Sequence, residues 1–178
     1  MLWLTLRIRV FAEWPYIYDG DLDYERAYLR EFVDAPGSVL VVAKAGAAIV
    51  GAAIGSPMLS QKPEFRAPFE ARGLATDTLF YFGESVLLPA FRGRGIGHRF
   101  FDLREAQARS CGAAACAFAA VNRPADHPRR PPDYQPLDEF WRKRGYAPVN
   151  GFVTALEWKD HDDVQPTAKD MQFWMKRL

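Results

Sequence analysis

Three glycines interleaved with arginines, Phe91-Arg92-Gly93-Arg94-Gly95-Ile96-Gly97, lie between an apolar alternating run, Leu79 to Leu88, and a helical segment, His98 to Cys111. This junction constrains the fold more than any other stretch. Glycines let the backbone bend tightly and approach an anion, and the N–H groups that open the next helix point outward with the positive end of the dipole behind them. Arg92, Arg94 and Arg99 add mobile positive charge at the same point. Strand, turn and helix together read as a phosphate cradle.

The residues that follow the glycines separate three phosphate-binding patterns. A Walker loop ends in Gly-Lys-Ser/Thr, and no lysine occurs between Lys62 and Lys143. A dinucleotide fingerprint needs G-x-G-x-x-G, whereas the spacing here is G-x-G-x-G, with His98 where the third glycine would fall. What remains is Arg-x-x-Gly-x-Gly, met by Arg92, Gly95 and Gly97 after a strand-like stretch ending in Leu88-Pro89. It resembles the acetyl-CoA pyrophosphate motif of the GNAT acyltransferase superfamily. The likeness continues through a short buried strand, Ala113 to Val121, ending at Asn122, and through Phe140-Trp141-Arg142-Lys143-Arg144-Gly145-Tyr146, similar to the family's Phe-Tyr-x-x-x-Gly-Phe helix end. It spans roughly residues 38 to 178 and implies an α/β (α+β) fold, a mixed, mostly antiparallel central sheet flanked by helices.

At 178 residues, 49% apolar and 25% charged, the chain fits one domain with a substantial core, residues 1–178. A formal net charge of +1 argues against binding nucleic acid in bulk. The arginines of the loop therefore serve a small anion. Cys111 and Cys116 are too few for a disulfide framework and read as buried or half-buried free thiols in a reducing compartment, by default the cytoplasm. No apolar run approaches the ~20 residues of a membrane span, and the start lacks the features of a signal peptide. His98, His127 and His161 have no ligand-like spacing with the cysteines, so no metal is expected.

Along the chain, Leu2, Leu4, Leu6, Ile8 and Val10 alternate like a strand, but the family layout favours a helix over Leu2 to Phe11, with the family's first strand missing or lying before Met1. Trp14 to Asp21 is a loop. Asp21 or Asp23 fits as the cap of a helix to about Val33, carrying Tyr24, Ala27, Tyr28 and Glu31 at helical intervals and stopped by Pro36-Gly37. Ser38 to Lys44 and Ala47 to Ile54 read as an antiparallel hairpin. One or two helical turns are expected over Glu64 to Arg72. Two-residue alternation puts Phe80, Phe82, Glu84, Val86 and Leu88 on one face of the next strand. The helix after the glycines turns Ile96, Phe100 and Leu103 inward and stops at Gly112. Arg123 to Pro136, with five prolines, is a rigid loop, and Phe152 to Trp158 and Met171 to Lys176 read as closing strands.

Acyl transfer from a thioester to an amine needs the amine's lone pair. For an acceptor with a pKa of about 10.4, deprotonation near neutrality costs roughly 4 to 5 kcal/mol, which makes a base useful. Glu84 is the candidate, because apolar neighbours such as Phe82 and Val86 would raise its pKa toward the working range. A buried ion pair with an arginine is the competing reading of the same residue. The resemblance implies that the main chain of Val86, Leu87 and Leu88 bonds the pantetheine arm and polarises the thioester. It also implies that Arg92, Gly93, Arg94, Gly95, Ile96, Gly97, His98 and Arg99 take the pyrophosphate, and that Asn122 contacts pantetheine or positions water. The family's general-acid tyrosine falls on Trp141, whose indole cannot protonate a thiolate. The acid is therefore Tyr134, if its loop folds over the site, or water, or there is none. The resemblance also assigns the acceptor pocket to Trp14 to Asp21, where Tyr16, Tyr18 and Asp19 suit a cationic amine. The leading expectation is an acetyl-CoA-dependent N-acetyltransferase, monomer or homodimer, acting on a small-molecule or peptide amine. The alternatives are a non-catalytic acyl-CoA-binding domain and an acyltransferase with another acyl group or acceptor.

Overall fold

The computed structural model describes residues 2–178 except 24, 27–29 and 31–33. Its elements run α1 (Leu2–Phe11), β1 (Val39–Ala45), β2 (Ala48–Pro57), α2 (Pro63–Glu70), β3 (Leu79–Leu87), α3 (Ile96–Ser110), β4 (Ala115–Val121), α4 (Asp138–Lys143), β5 (Ala147–Trp158) and β6 (Thr167–Arg177). One six-stranded sheet has the order β1-β2-β3-β4-β6-β5. Every neighbouring pair is antiparallel except β3 with β4, which α3 connects as a crossover. This is the mixed, mostly antiparallel architecture that the resemblance implied.

Local chemistry explains the elements. The β1–β2 hairpin turns at Gly46, whose φ of 59° a residue with a β-carbon adopts only under strain. Between α1 and the first hairpin, residues 22, 23, 25, 26 and 30 are helical. The Asp21 carboxylate caps that start by accepting the N–H of Asp23 at 3.0 Å. Tyr24, Ala27, Tyr28 and Glu31, which carried the periodic spacing, lie outside the described residues. α1 is a helix despite its alternating pattern, and Leu4 and Leu6 are the apolar side chains it buries on the sheet, with Arg7 buried beside them.

The sheet is covered on both faces. Leu79 and Tyr81 of β3 join Met58, Phe65 and Phe69 on the α2 side, with Phe152 and Phe173 from β5 and β6. Phe80 and Phe82 join Phe101, Phe118, Tyr146 and Trp174 on the α3 side. Burying one such aromatic side chain contributes about 1.5 to 3 kcal/mol, so these two clusters carry the domain. β5 is longer than expected because it begins at Ala147 and crosses an irregularity between Pro148 and Val153 before re-pairing with β6.

The expectation that Phe80, Phe82, Glu84 and Val86 share one face is corrected. Ile54 of β2 lies opposite Glu84, but the next residue, Gly55, lies opposite Phe82, so Gly83 is an extra residue in β3. Such a bulge shifts the alternation by one. Phe82 faces α3, whereas Glu84 and Val86 face α1, where Val86 packs with Leu6 and Ala52. A second correction concerns Cys111, which is exposed at the end of α3, while Cys116 is buried.

Candidate active site

Parallel pairing between β3 and β4 lasts for three residues, Leu79–Tyr81 against Ala115–Ala117. Beyond it β3 runs on to Leu87 and β4 to Val121 with no ladder between them. Strand bending at the Gly83 bulge accounts for the separation. The V opens into a cleft of about 1650 Å³. Buried backbone groups at a bulge need partners, and Arg104 of α3 supplies them. Its Nη1 donates to the Glu84 carbonyl at 3.1 Å and the Ile54 carbonyl at 3.3 Å, and its Nε to Phe100 at 3.1 Å. The guanidinium lies over the rings of Phe82 and Phe101, and burial lowers its pKa to about 10, which leaves it charged at neutrality. Two phenols enter the V from the other side. Tyr81 takes a backbone hydrogen bond from Ala119 and Tyr16 one from Val121, so hydroxyls serve the free edge of β4. Burial first, then the neighbouring Glu84 and Tyr134, push Tyr16 up to about 12.

At the mouth of the cleft the glycine loop is open. Gly93 and Gly95 have φ of 73° and 79°, and no atom stands within 4 Å of where a β-carbon would be. Their glycine character thus answers to backbone conformation. Gly95 is the N-cap of α3, with no side-chain cap and no acidic residue in the first turn, so the leading N–H groups of that helix have no competing carboxylate. Gly93, Gly95, Gly97 and His98 line the cleft, where a β-carbon at Gly97 would stand 3.5 Å from Phe140 and the His98 ring is edge-on to Phe140. Arg92 is a brace here. Its Nε donates to the Leu87 carbonyl at 3.1 Å and its Nη2 to Glu13 at 2.8 Å. The Leu88 N–H donates to the Val50 carbonyl, and Ile96 packs on the core beside Phe100. Arg94 and Arg99 are exposed and do not line the cleft. Asn122 ends β4 on the rim, its N–H donating to the Asp170 carbonyl.

At the inner end Glu84 lies buried in an ion pair. Arg7 of α1 directs Nε at both carboxylate oxygens, 2.7 Å away, and its Nη1 contacts Glu25. Burial raises the Glu84 pKa, and the Arg7 charge, its hydrogen bond and then Arg104 oppose that rise without cancelling it. The structure thus shows the ion pair with an arginine that was the competing reading, together with a carboxylate whose pKa burial raises.

The outer wall is a loop-to-loop contact. Arg123 donates to the carbonyls of Pro15 and Tyr16 and makes a bidentate pair with Asp160, all at 2.9 Å. His127 lies against Trp14, and Tyr134 meets Trp14 edge-on with ring centroids 6.0 Å apart. The proline-rich loop thus folds over the cleft and brings Tyr134 to it. Burial, then Asp138, raise the Tyr134 pKa. Tyr16 and Tyr18 also line the cleft, Tyr18 bridging to Asp160. Asp19 does not line it. It pairs with Lys159 at 2.7 Å on the outside, and that hydrogen bond lowers its pKa. Trp141 packs on Phe118 and Trp174. Among the described residues no cluster of His, Cys, Asp or Glu is arranged to hold a metal ion, and no helix is long and apolar enough to cross a membrane.

Residues 6–131 match the acetyltransferase (GNAT) family. The chain belongs to that family. No curated protein sequence gives a significant match. The GNAT fold seen here is similar to that of a ribosomal-protein-alanine N-acetyltransferase from Brucella melitensis, at 16% identity and a TM-score of 0.63, over 99% of this chain and 92% of that one. It is also similar to a GCN5-related N-acetyltransferase from Kribbella flavida, at 18% identity and a TM-score of 0.60 over 100% and 90% of the two chains. A third is an aminoglycoside 6'-N-acetyltransferase solved with coenzyme A, at 16% identity and a TM-score of 0.59 over 98% and 89%. Within this GNAT site, Arg7, Glu25 and Arg104 had not been singled out. A signal existed for two of them, because Arg7 follows Leu4 by three and Arg104 follows Phe100 by four, so each lies on the apolar stripe of its helix.

Proposed function

We propose that this GNAT chain is an acetyl-CoA-dependent N-acetyltransferase that acetylates a primary amine by direct attack on the thioester. The observation that carries the reading is a strand pair that parts to form a cleft onto whose mouth an uncapped helix N-terminus opens. The exposed N–H groups from Gly93 to Gly97 suit the diphosphate, and the free edge of β3 below them suits the amides of a pantetheine arm. Main-chain contacts need no particular side chains at Val86, Leu87 and Leu88. Asn122 stands at the opposite rim to the same arm.

Glu84 accepts the proton of the ammonium, directly or through water. The nitrogen then attacks the carbonyl, the C–N bond forms, and the C–S bond breaks with its electron pair leaving on sulfur, while the new amide nitrogen sheds its second proton to water and Glu84 returns the first to solvent. Tyr134 gives the thiolate its proton and is recharged from solvent. Tyr16, held neutral, remains a hydrogen-bond donor inside the V. Trp14, Tyr16 and Tyr18 offer ring faces to a cationic acceptor.

Calorimetry with coenzyme A and acetyl-CoA tests the first half of this reading, and absence of heat at millimolar ligand would remove it. Thiol release across a panel of polyamines, aminoglycosides and N-terminal peptides tests the second. Tight coenzyme binding with no release from any amine would favour the non-catalytic reading.

A further inference from the structure

Arg7 is shared. Its Nε serves both oxygens of Glu84 and its Nη1 contacts Glu25, whose side chain is fully buried. One guanidinium thus serves two carboxylates, and the three side chains carry one negative charge in excess. The undescribed positions 24, 27–29 and 31–33 contain no lysine, arginine or histidine that could balance it. Among the described residues, the other charged or titratable groups facing Glu84 are Arg104, which reaches its backbone carbonyl from the α3 side, and the Tyr16 phenol on the cleft side.

We propose that Glu25 sets the proton affinity of Glu84 by competing for Arg7, and so is a positioning residue for the base. The inference rests on the reading of Glu84 as that base. With Arg7 devoted to Glu84 alone, the guanidinium would hold the carboxylate ionised and make it a poor proton acceptor. Glu25 draws part of that charge away and adds a like charge of its own. Both effects raise the affinity of Glu84 for a proton. The arrangement yields a sign that packing alone would not produce: removing the charge of Glu25 and removing that of Arg7 must move Glu84 in opposite directions.

The test is a titration of Glu84 by carbon NMR on protein carrying labelled glutamate carboxyls, without any substrate, the resonance being assigned through its loss in Glu84→Gln. The midpoint should move down by about one pH unit in Glu25→Gln and up by a similar amount in Arg7→Gln. The acidic limb of kcat/KM should follow, and kcat in Glu25→Gln should fall about ten-fold with the acceptor KM within two-fold, Glu25→Asp restoring most of it. Where Arg7→Gln does not fold, Arg7→Met replaces it, with the same upward direction expected because the positive charge beside Glu84 is again removed. A midpoint unmoved in Glu25→Gln, or moved the same way in both variants, overturns the inference. Midpoints that move in opposite directions while the kinetic limb stays fixed uphold the coupling and sink Glu84 as base.

Discussion

The two ends of the cleft are built by different means. The mouth is made of backbone: an exposed loop bearing three glycines, with the conformation set by positive φ at Gly93 and Gly95. The inner end is made of side chains, Glu84, Arg7, Glu25 and Arg104, which arrive from four segments and are all buried. A backbone site tolerates changes of side chain and fails on changes of conformation. A buried charge cluster does the reverse, because each member leaves its partner uncompensated when removed.

The largest effect that would break this contrast lies at the inner end. Glu84→Gln should lower kcat/KM by a factor of about 100 or more, and its residual rate should lack the decline that the parent shows as pH falls through the raised Glu84 pKa. A stopped-flow or endpoint thiol assay across pH measures both. Next in size is Arg104→Met, which strips donors from the buried carbonyls of Ile54 and Glu84. At about 1 to 3 kcal/mol per unmet group and 2 to 4 °C per kcal/mol for a chain of this size, the melting temperature should drop by roughly 5 to 15 °C in calorimetry.

At the mouth, Gly95→Ala meets no atom but must hold φ near 79°, a conformation that costs a residue with a β-carbon about 1 to 2 kcal/mol. Coenzyme A affinity should weaken by about ten-fold in titration calorimetry, with little change in the acidic limb. Tyr134→Phe should reduce kcat by a smaller factor and remove an alkaline limb that, in the parent, lies above the ordinary phenol range because the pKa is raised. The smallest effect belongs to the thiols. Alkylation should reach the exposed Cys111 without altering the rate, and burial pushes Cys116 up to about 12, leaving it unmodified by mass spectrometry.

Legibility in the sequence follows the same division. The glycine loop could be read because its signal is local: residues seven positions apart at most define strand end, turn and helix start. The hairpin, the α3 register and the closing strands were legible for the same reason, with ends off by a few residues. The partner of Glu84 was not, because Arg7 lies 77 positions away and Glu25 sits in a different segment again. Nor did alternation alone give the face of Glu84. The one available hint was Gly83, since a glycine inside a strand marks a bulge. Asp19 went astray through composition: a carboxylate beside aromatics suggested an acceptor site, while Lys159, brought near by the β5–β6 hairpin, holds it on the outside.

That single surplus residue in β3 has a consequence for how the protein tolerates change. Deleting Gly83 would leave Phe82 and Glu84 on the faces they now occupy and would mend the ladder with β2, so the shortened sheet should be more regular and at least as easy to fold. It would also remove the bend that keeps β3 away from β4. The crevice therefore exists because the strand is one residue too long, and straightening it should yield a sound domain with nowhere to place a substrate.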